Sequence, residues 1–168
     1  MQSETLRSET ERLVETLGHE LVARGLKIST AESCTGGMVA ARLVDYPGIS
    51  AALDEAHVTY ANEAKIKYCG VRPQTLDAHG AVSEETAREM AEGLKKKSGA
   101  DIAVATTGIA GPGGGTTEKP VGLVYVSCAS KHGTRVKRLL LSGGRQSVRM
   151  QAVYSVLEMA LDAAKQYE

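Results

Sequence analysis

The chain has 168 residues, 42% of them hydrophobic and 24% charged, enough for a single domain over 1–168 with an aliphatic core and no metal or disulfide staple. Twenty basic residues balance twenty acidic ones, so no net field attracts a polyanion or a membrane surface, and the lack of Trp and Phe removes the stacking aromatics of single-strand binders. Nucleic acid is therefore disfavoured as a partner, no segment approaches a membrane span, and any bound anion is expected to be small. The three cysteines, Cys34, Cys69 and Cys128, are odd in number and form no CxxC pair, which reads as reduced thiols in a cytoplasmic protein rather than a disulfide frame or zinc site.

An amphipathic helix is expected over about 8–24, where Leu13, Leu17 and Leu21 recur every four residues, Val14 and Val22 widen the stripe, and Gly25 closes the segment. A strand over Leu26 to Ala31, the turn Ser33 to Gly37 and a helix over Met38 to Val44 follow, the helix stopping before Pro47. A second strand is expected at Leu53 to Tyr60, then a short helix capped by Asn62 and ended by Gly70, and a longer helix opened by Ser83. Asp101 to Thr107 reads as a buried strand, Gly108 to Pro120 as a glycine-rich loop, and Val121 to Ala129 with Arg135 to Leu141 as an antiparallel hairpin. A helix over Gln146 to Lys165 closes the chain. Helices alternating with strands early, and a hairpin late, predict an α/β fold whose mixed sheet of about five strands has helices on both faces and a site at the strand ends.

Ser33 follows a strand and precedes a helix, with Gly36 and Gly37 leaving the backbone open to close approach by a ligand and backbone N–H groups free to stabilise an oxyanion. Ser33 or Thr35 would serve equally well as an ordinary helix cap, and local sequence alone favours that reading. A nucleophilic serine needs a base, and His19, His57, His79 and His132 are scattered with no obvious carboxylate partner. Lys65, early in its helix, is the better candidate if burial and the positive end of the helix dipole lower its pKa; the alternative is a solvated lysine like Lys67. Cys34 is a second candidate nucleophile, since thiolates are activated at helix N-termini. The glycine-rich segment from Thr106 to Thr116 follows a strand and offers unhindered amides without Walker lysine spacing, and it reads as either a ligand-binding wall or a flexible connection. Arg145 and Arg149, one turn apart at the start of the last helix, either converge on a small anion or stay solvated.

The segments Thr30-Ala-Glu-Ser-Cys-Thr-Gly-Gly37, Val58-Thr-Tyr-Ala-Asn-Glu-Ala-Lys65, His79-Gly-Ala-Val-Ser-Glu84 and Thr107-Gly-Ile-Ala-Gly-Pro-Gly-Gly-Gly115 resemble the C-terminal domain of the competence/damage-inducible family CinA. The likeness continues through Lys119-Pro-Val-Gly-Leu-Val-Tyr125 to the closing helix and covers nearly the whole chain, which implies a stand-alone form of that domain. It implies a three-layer α/β/α sandwich with a mixed, mainly parallel sheet, a homodimer or higher homo-oligomer, and no cofactor or metal. It further implies hydrolysis of the carboxamide of nicotinamide mononucleotide, a small nucleotide substrate, to nicotinic acid mononucleotide and ammonia. Carried over by motif, Ser33 is the expected nucleophile, Lys65 its base and Tyr60 a partner in proton transfer. Cys34, Thr35, Gly36, Gly37, Asn62, Thr107, Gly108 and Arg145 are the expected substrate-binding residues, with Arg145 at the phosphate. The chain departs from the family pattern where glycines usually precede the Val-x-Tyr strand and Glu55-Ala56-His57 stands here, and where Gly-Asp-Arg is usual and Gly143-Gly144-Arg145 stands here. Those departures motivate an alternative, a catalytically silent nucleotide-binding module linked to competence or the DNA-damage response.

Overall fold

Short runs of β-branched and apolar residues, separated by turns that need glycine, build one five-stranded sheet: β1 (Ile28–Glu32), β2 (Leu53–Val58), β3 (Ile102–Gly108), β4 (Leu123–Ser130) and β5 (Gly133–Leu140). The computed structural model describes residues 2–167, with side chains from Glu4 onward. The strand order is β2-β1-β3-β4-β5, with β1 parallel to both β2 and β3, and β4 antiparallel to β3 and β5. Four strands therefore point the same way and only β4 runs against them. Their carboxyl ends, and the segments leaving them, gather along one edge of the sheet.

Six α-helices complete the three layers: α1 (Gln2–Ala23), α2 (Met38–Val44), α3 (Asn62–Cys69), α4 (Pro73–His79), α5 (Glu84–Ser98) and α6 (Arg145–Lys165). One face of the sheet packs its larger core against α1, α2 and α6, with Leu17, Leu21, Ile28, Leu43, Val156 and Leu157 fully buried. The other face packs a smaller core against α3 and α5, built from Ala31, Ala103 and Ala105 of the sheet with Cys69, Met90 and Leu94 of the helices. Small residues on this side let the helices lie close to the strands. All three cysteines are buried free thiols.

Several boundaries differ from expectation for identifiable reasons. Helix α1 begins six residues earlier than expected, because its polar first turns carry no apolar period yet are held by one-turn pairs such as Arg7 with Glu11. Val22 is exposed rather than part of the buried stripe. Gly25 does end the helix in left-handed geometry, the Leu26 N–H reaching back to the Leu21 carbonyl. Asn62 is not the cap of α3: Ala61 takes the extended cap conformation and Asn62 is the first helical residue, exposed to solvent. The expected strand through Tyr60 stops at Val58, since Thr59 and Tyr60 turn their backbone toward the site. Ser83 caps α5 as its position suggests, accepting from the Thr86 N–H.

Helix α3 is pinned against α5 at Gly93, where an added Cβ would lie 1.5 Å from the Cys69 carbonyl oxygen. In an unconstrained helix interior, replacing Gly by Ala is worth roughly 1 kcal/mol of stability. Here Gly93→Ala is expected to reverse that sign and destabilise the fold by about 1–3 kcal/mol, the usual cost of overpacking, as read from the urea midpoint.

Candidate active site

Ser33 leaves the end of β1 into a turn that has two left-handed glycines, Gly36 at φ 59° and Gly37 at φ 95°. Any residue with a Cβ would be strained at both positions, which accounts for the glycine pair before a helix. The turn is tied to the neighbouring strand by the Ser33 N–H donating to the Thr106 carbonyl at 3.0 Å.

Capping of α2 falls to Glu32, a residue outside the expected site. Its buried carboxylate accepts from the N–H groups of Gly37, Val39 and Ala40 at 3.0, 3.0 and 2.9 Å and from the Thr35 hydroxyl at 2.6 Å. With its hydrogen given to Glu32, the Thr35 hydroxyl accepts from Thr106 at 2.8 Å. Neither Ser33 nor Thr35 caps the helix, so the Ser33 hydroxyl stays available.

The Ser33 Oγ lies 3.1 Å from Lys65 Nζ, which α3 carries in from the end of β2. Lys65 is 1% exposed, and its amine also donates to the carbonyls of Thr59 at 2.8 Å and Tyr60 at 3.1 Å. Among the described residues no carboxylate forms an ion pair with it. Burial pushes its pKa below the ordinary lysine value. The Lys65 amine thus faces three oxygens, and in its neutral form it would have two hydrogens for the carbonyls and a lone pair for the serine hydroxyl.

Cys34 is not placed for nucleophilic attack. It is buried in the larger core, and desolvation raises its pKa to about 11, which keeps it a protonated thiol at neutral pH. Its contribution to the turn is backbone. Among the described residues no oxygen accepts from the N–H of Cys34 or of Thr35, whereas those of Gly36 and Gly37 are taken by the Ser33 carbonyl and Glu32.

Tyr60 reaches Lys65 through its carbonyl, while its side chain is 60% exposed and its hydroxyl accepts from Arg145 at 3.3 Å. Arg145 in turn donates to the Gly111 carbonyl at 2.7 Å, joining the start of α6 to the glycine-rich loop. Thr107 is buried and donates to the Ala81 carbonyl at 2.7 Å, which anchors the 80–83 turn beside β3. Gly108 ends β3 where an added Cβ would meet Val124 at 2.7 Å, so its lack of a side chain serves strand packing. Arg149 does not converge with Arg145 on open space: it grips the carbonyls of Cys34 and Thr35. Glu55 and His57 pair at 2.7 Å on edge strand β2, and the imidazole stacks on Tyr68 of α3 with ring centroids 4.8 Å apart. The Glu55–His57 pair therefore braces the helix that carries Lys65.

The arrangement is that of an α/β/α protein with a serine hydroxyl and a buried lysine amine in contact at the carboxyl ends of parallel strands. The chain belongs to the CinA family: the CinA C-terminal domain matches it over residues 10–164. It is 55% identical over 146 residues to a putative competence-damage inducible protein of Clostridium novyi (strain NT), covering 87% of this chain and 35% of that one. A protein of the same description from Acetivibrio thermocellus is 50% identical over 152 residues, covering 90% of this chain and 37% of its own length. The chain thus spans about a third of the length of these curated relatives. The crystal structure of competence/damage inducible protein CihA from Agrobacterium tumefaciens superposes with a TM-score of 0.90 at 44% identity, covering 94% of this chain and 96% of that one. A CinA superfamily protein from Klebsiella pneumoniae gives 0.88 at 36% identity, covering 94% and 99%. Among the described residues no helix is long and apolar enough to cross a membrane, and no group of His, Cys, Asp or Glu is arranged to hold a metal ion.

Proposed function

We propose that the chain hydrolyses the carboxamide of nicotinamide mononucleotide, giving nicotinic acid mononucleotide and ammonia by a serine–lysine mechanism. The observation that carries this reading is the buried Lys65 amine, without an acidic partner, 3.1 Å from the Ser33 hydroxyl. A lysine serving only packing or solubility would expose its head group or pair it with an acid. The substrate itself comes from the family resemblance.

In the proposed sequence neutral Lys65 takes the Ser33 proton as the oxygen attacks the carboxamide carbon. The N–H groups of Cys34 and Thr35 stabilise the oxyanion. Protonated Lys65 returns its proton to the departing nitrogen, so ammonia leaves and an ester to Ser33 remains. Water then attacks that ester with Lys65 again as base, releasing the carboxylate and restoring the serine. Arg145, exposed and already in contact with Tyr60 and the glycine-rich loop, is proposed to hold the nucleotide phosphate, with Asn62, Thr107 and Gly108 along the substrate wall.

The test is product detection by mass spectrometry after incubation with nicotinamide mononucleotide, nicotinamide or the intact dinucleotide. Conversion of the mononucleotide in clear preference to the other two is expected, because only it presents a free terminal phosphate beside the carboxamide. Saturable binding without any acid product would replace this reading with a silent nucleotide-binding module.

A further inference from the structure

Arg149 has an acceptor at each of its three guanidinium nitrogens. Its Nε donates to the Cys34 carbonyl at 3.1 Å, Nη2 to the Thr35 carbonyl at 2.8 Å and Nη1 to Gln146 Oε1 at 3.2 Å. It comes from α6, 115 residues beyond Cys34, and holds carbonyls of the same turn whose amides and helix are capped by Glu32.

The carbonyl of Cys34 and the N–H of Thr35 belong to one planar trans peptide and point in opposite directions. Fixing that carbonyl on a cation therefore fixes where the Thr35 N–H points, and the cation draws electron density toward the oxygen, making the N–H a stronger donor. Glu32 takes the N–H groups of Gly37, Val39 and Ala40, and the Ser33 carbonyl takes that of Gly36. The donors of Cys34 and Thr35 remain, directly after the serine. Glu32 holds the amides at the helix end of the turn and Arg149 the carbonyls of Cys34 and Thr35, while the N–H groups of those two residues donate to no oxygen among the described residues.

We propose that Arg149 is a positioning residue that orients and polarises the Thr35 N–H as an oxyanion donor for acyl transfer at Ser33. The proposal rests on the reading of Ser33 as nucleophile toward a carboxamide. It assigns Arg149 no contact with substrate. An anion-binding arginine would act on KM; one that orients a transition-state donor acts on kcat.

The experiment measures steady-state ammonia release from nicotinamide mononucleotide by the full chain, Ser33→Ala, Arg149→Ala and Arg149→Lys, across pH and with added guanidinium chloride at millimolar concentration. Arg149→Ala is expected to lose about 100-fold in kcat, the scale for one oxyanion donor, with KM within about 3-fold of wild type. The midpoint of its pH profile stays that of wild type, since Lys65 is untouched. Guanidinium restores part of the rate, and Arg149→Lys, which supplies one donor direction instead of a fork, retains an intermediate rate. Wild-type kcat in either variant, a loss confined to KM, or a shifted pH midpoint would overturn the proposal. Should Arg149→Ala fail to fold by circular dichroism, Arg149→Lys is judged by the same three criteria. Turnover that persists in Ser33→Ala would instead overturn the underlying serine reading, so the two failures are distinct.

Discussion

Ser33→Ala is expected to lower kcat for ammonia release by at least about 10⁴-fold, because the reaction as proposed passes through an ester on that oxygen and no neighbouring group can replace it. The adjacent thiol is the obvious substitute, but Cys34 is packed in the core with a pKa of about 11. Stability should change little. The Ser33 hydroxyl caps no helix, and α2 is held by Glu32 whether or not the hydroxyl is present. Thermal melting alongside the kinetics separates loss of the nucleophile from loss of the fold.

Lys65→Met is the second large effect, with an expected loss of about 10³-fold in kcat, within the range of a removed general base. Wild-type kcat/KM should rise with pH as Lys65 loses its proton, with a midpoint below the ~10.4 of an ordinary lysine; the Lys65→Met profile should lack that step. Stability carries the same signature. A lysine with a depressed folded-state pKa binds fewer protons folded than unfolded between that pKa and ~10.4. The folded state therefore gains stability as pH rises through this window and loses it as pH falls. Lys65→Met should show no such gain, which urea unfolding at several pH values checks.

Much of the fold was legible because it rests on local rules. The helix from Met38 to Val44 and the late hairpin lie where periodicity and turn residues put them. Helix α4 is not legible in the sequence: it is seven residues long, buries only Thr75 and has no apolar period, and its single local signal is Pro73 in the first turn. The 3-10 turn Ile49–Ala51 is shorter still. The bulge in β2, where Ile28 pairs with Leu53 but Thr30 with Ala56, shifts the pairing register by one residue, and no residue type announces it.

At the candidate site the sequence offered the components without their wiring. Ser33 and Lys65 are 32 positions apart, and their contact depends on β1 and β2 being parallel neighbours. The sequence pattern points to the phenol of Tyr60, whereas the contact with Lys65 is made by its carbonyl, which sequence does not advertise. Arg149 looks in sequence like an anion ligand or a solvated residue, because its acceptors are carbonyls 114 and 115 positions away. Glu32 did leave a signal. It is the only charged residue in the fully buried strand Ile28–Glu32, and a buried carboxylate must find several donors, which here are the amides of the following helix.

Activation of Ser33 by a neutral Lys65 is testable without presuming a substrate. The measurement is the rate at which a fluorophosphonate labels the protein as a function of pH, with the modified residue located by peptide mass spectrometry. Labelling is expected at Ser33, with a rate that rises through a midpoint below ~10.4 in wild type and falls by orders of magnitude in Lys65→Met. Labelling at another residue, or at Ser33 with the same rate and pH dependence in Lys65→Met, would contradict it.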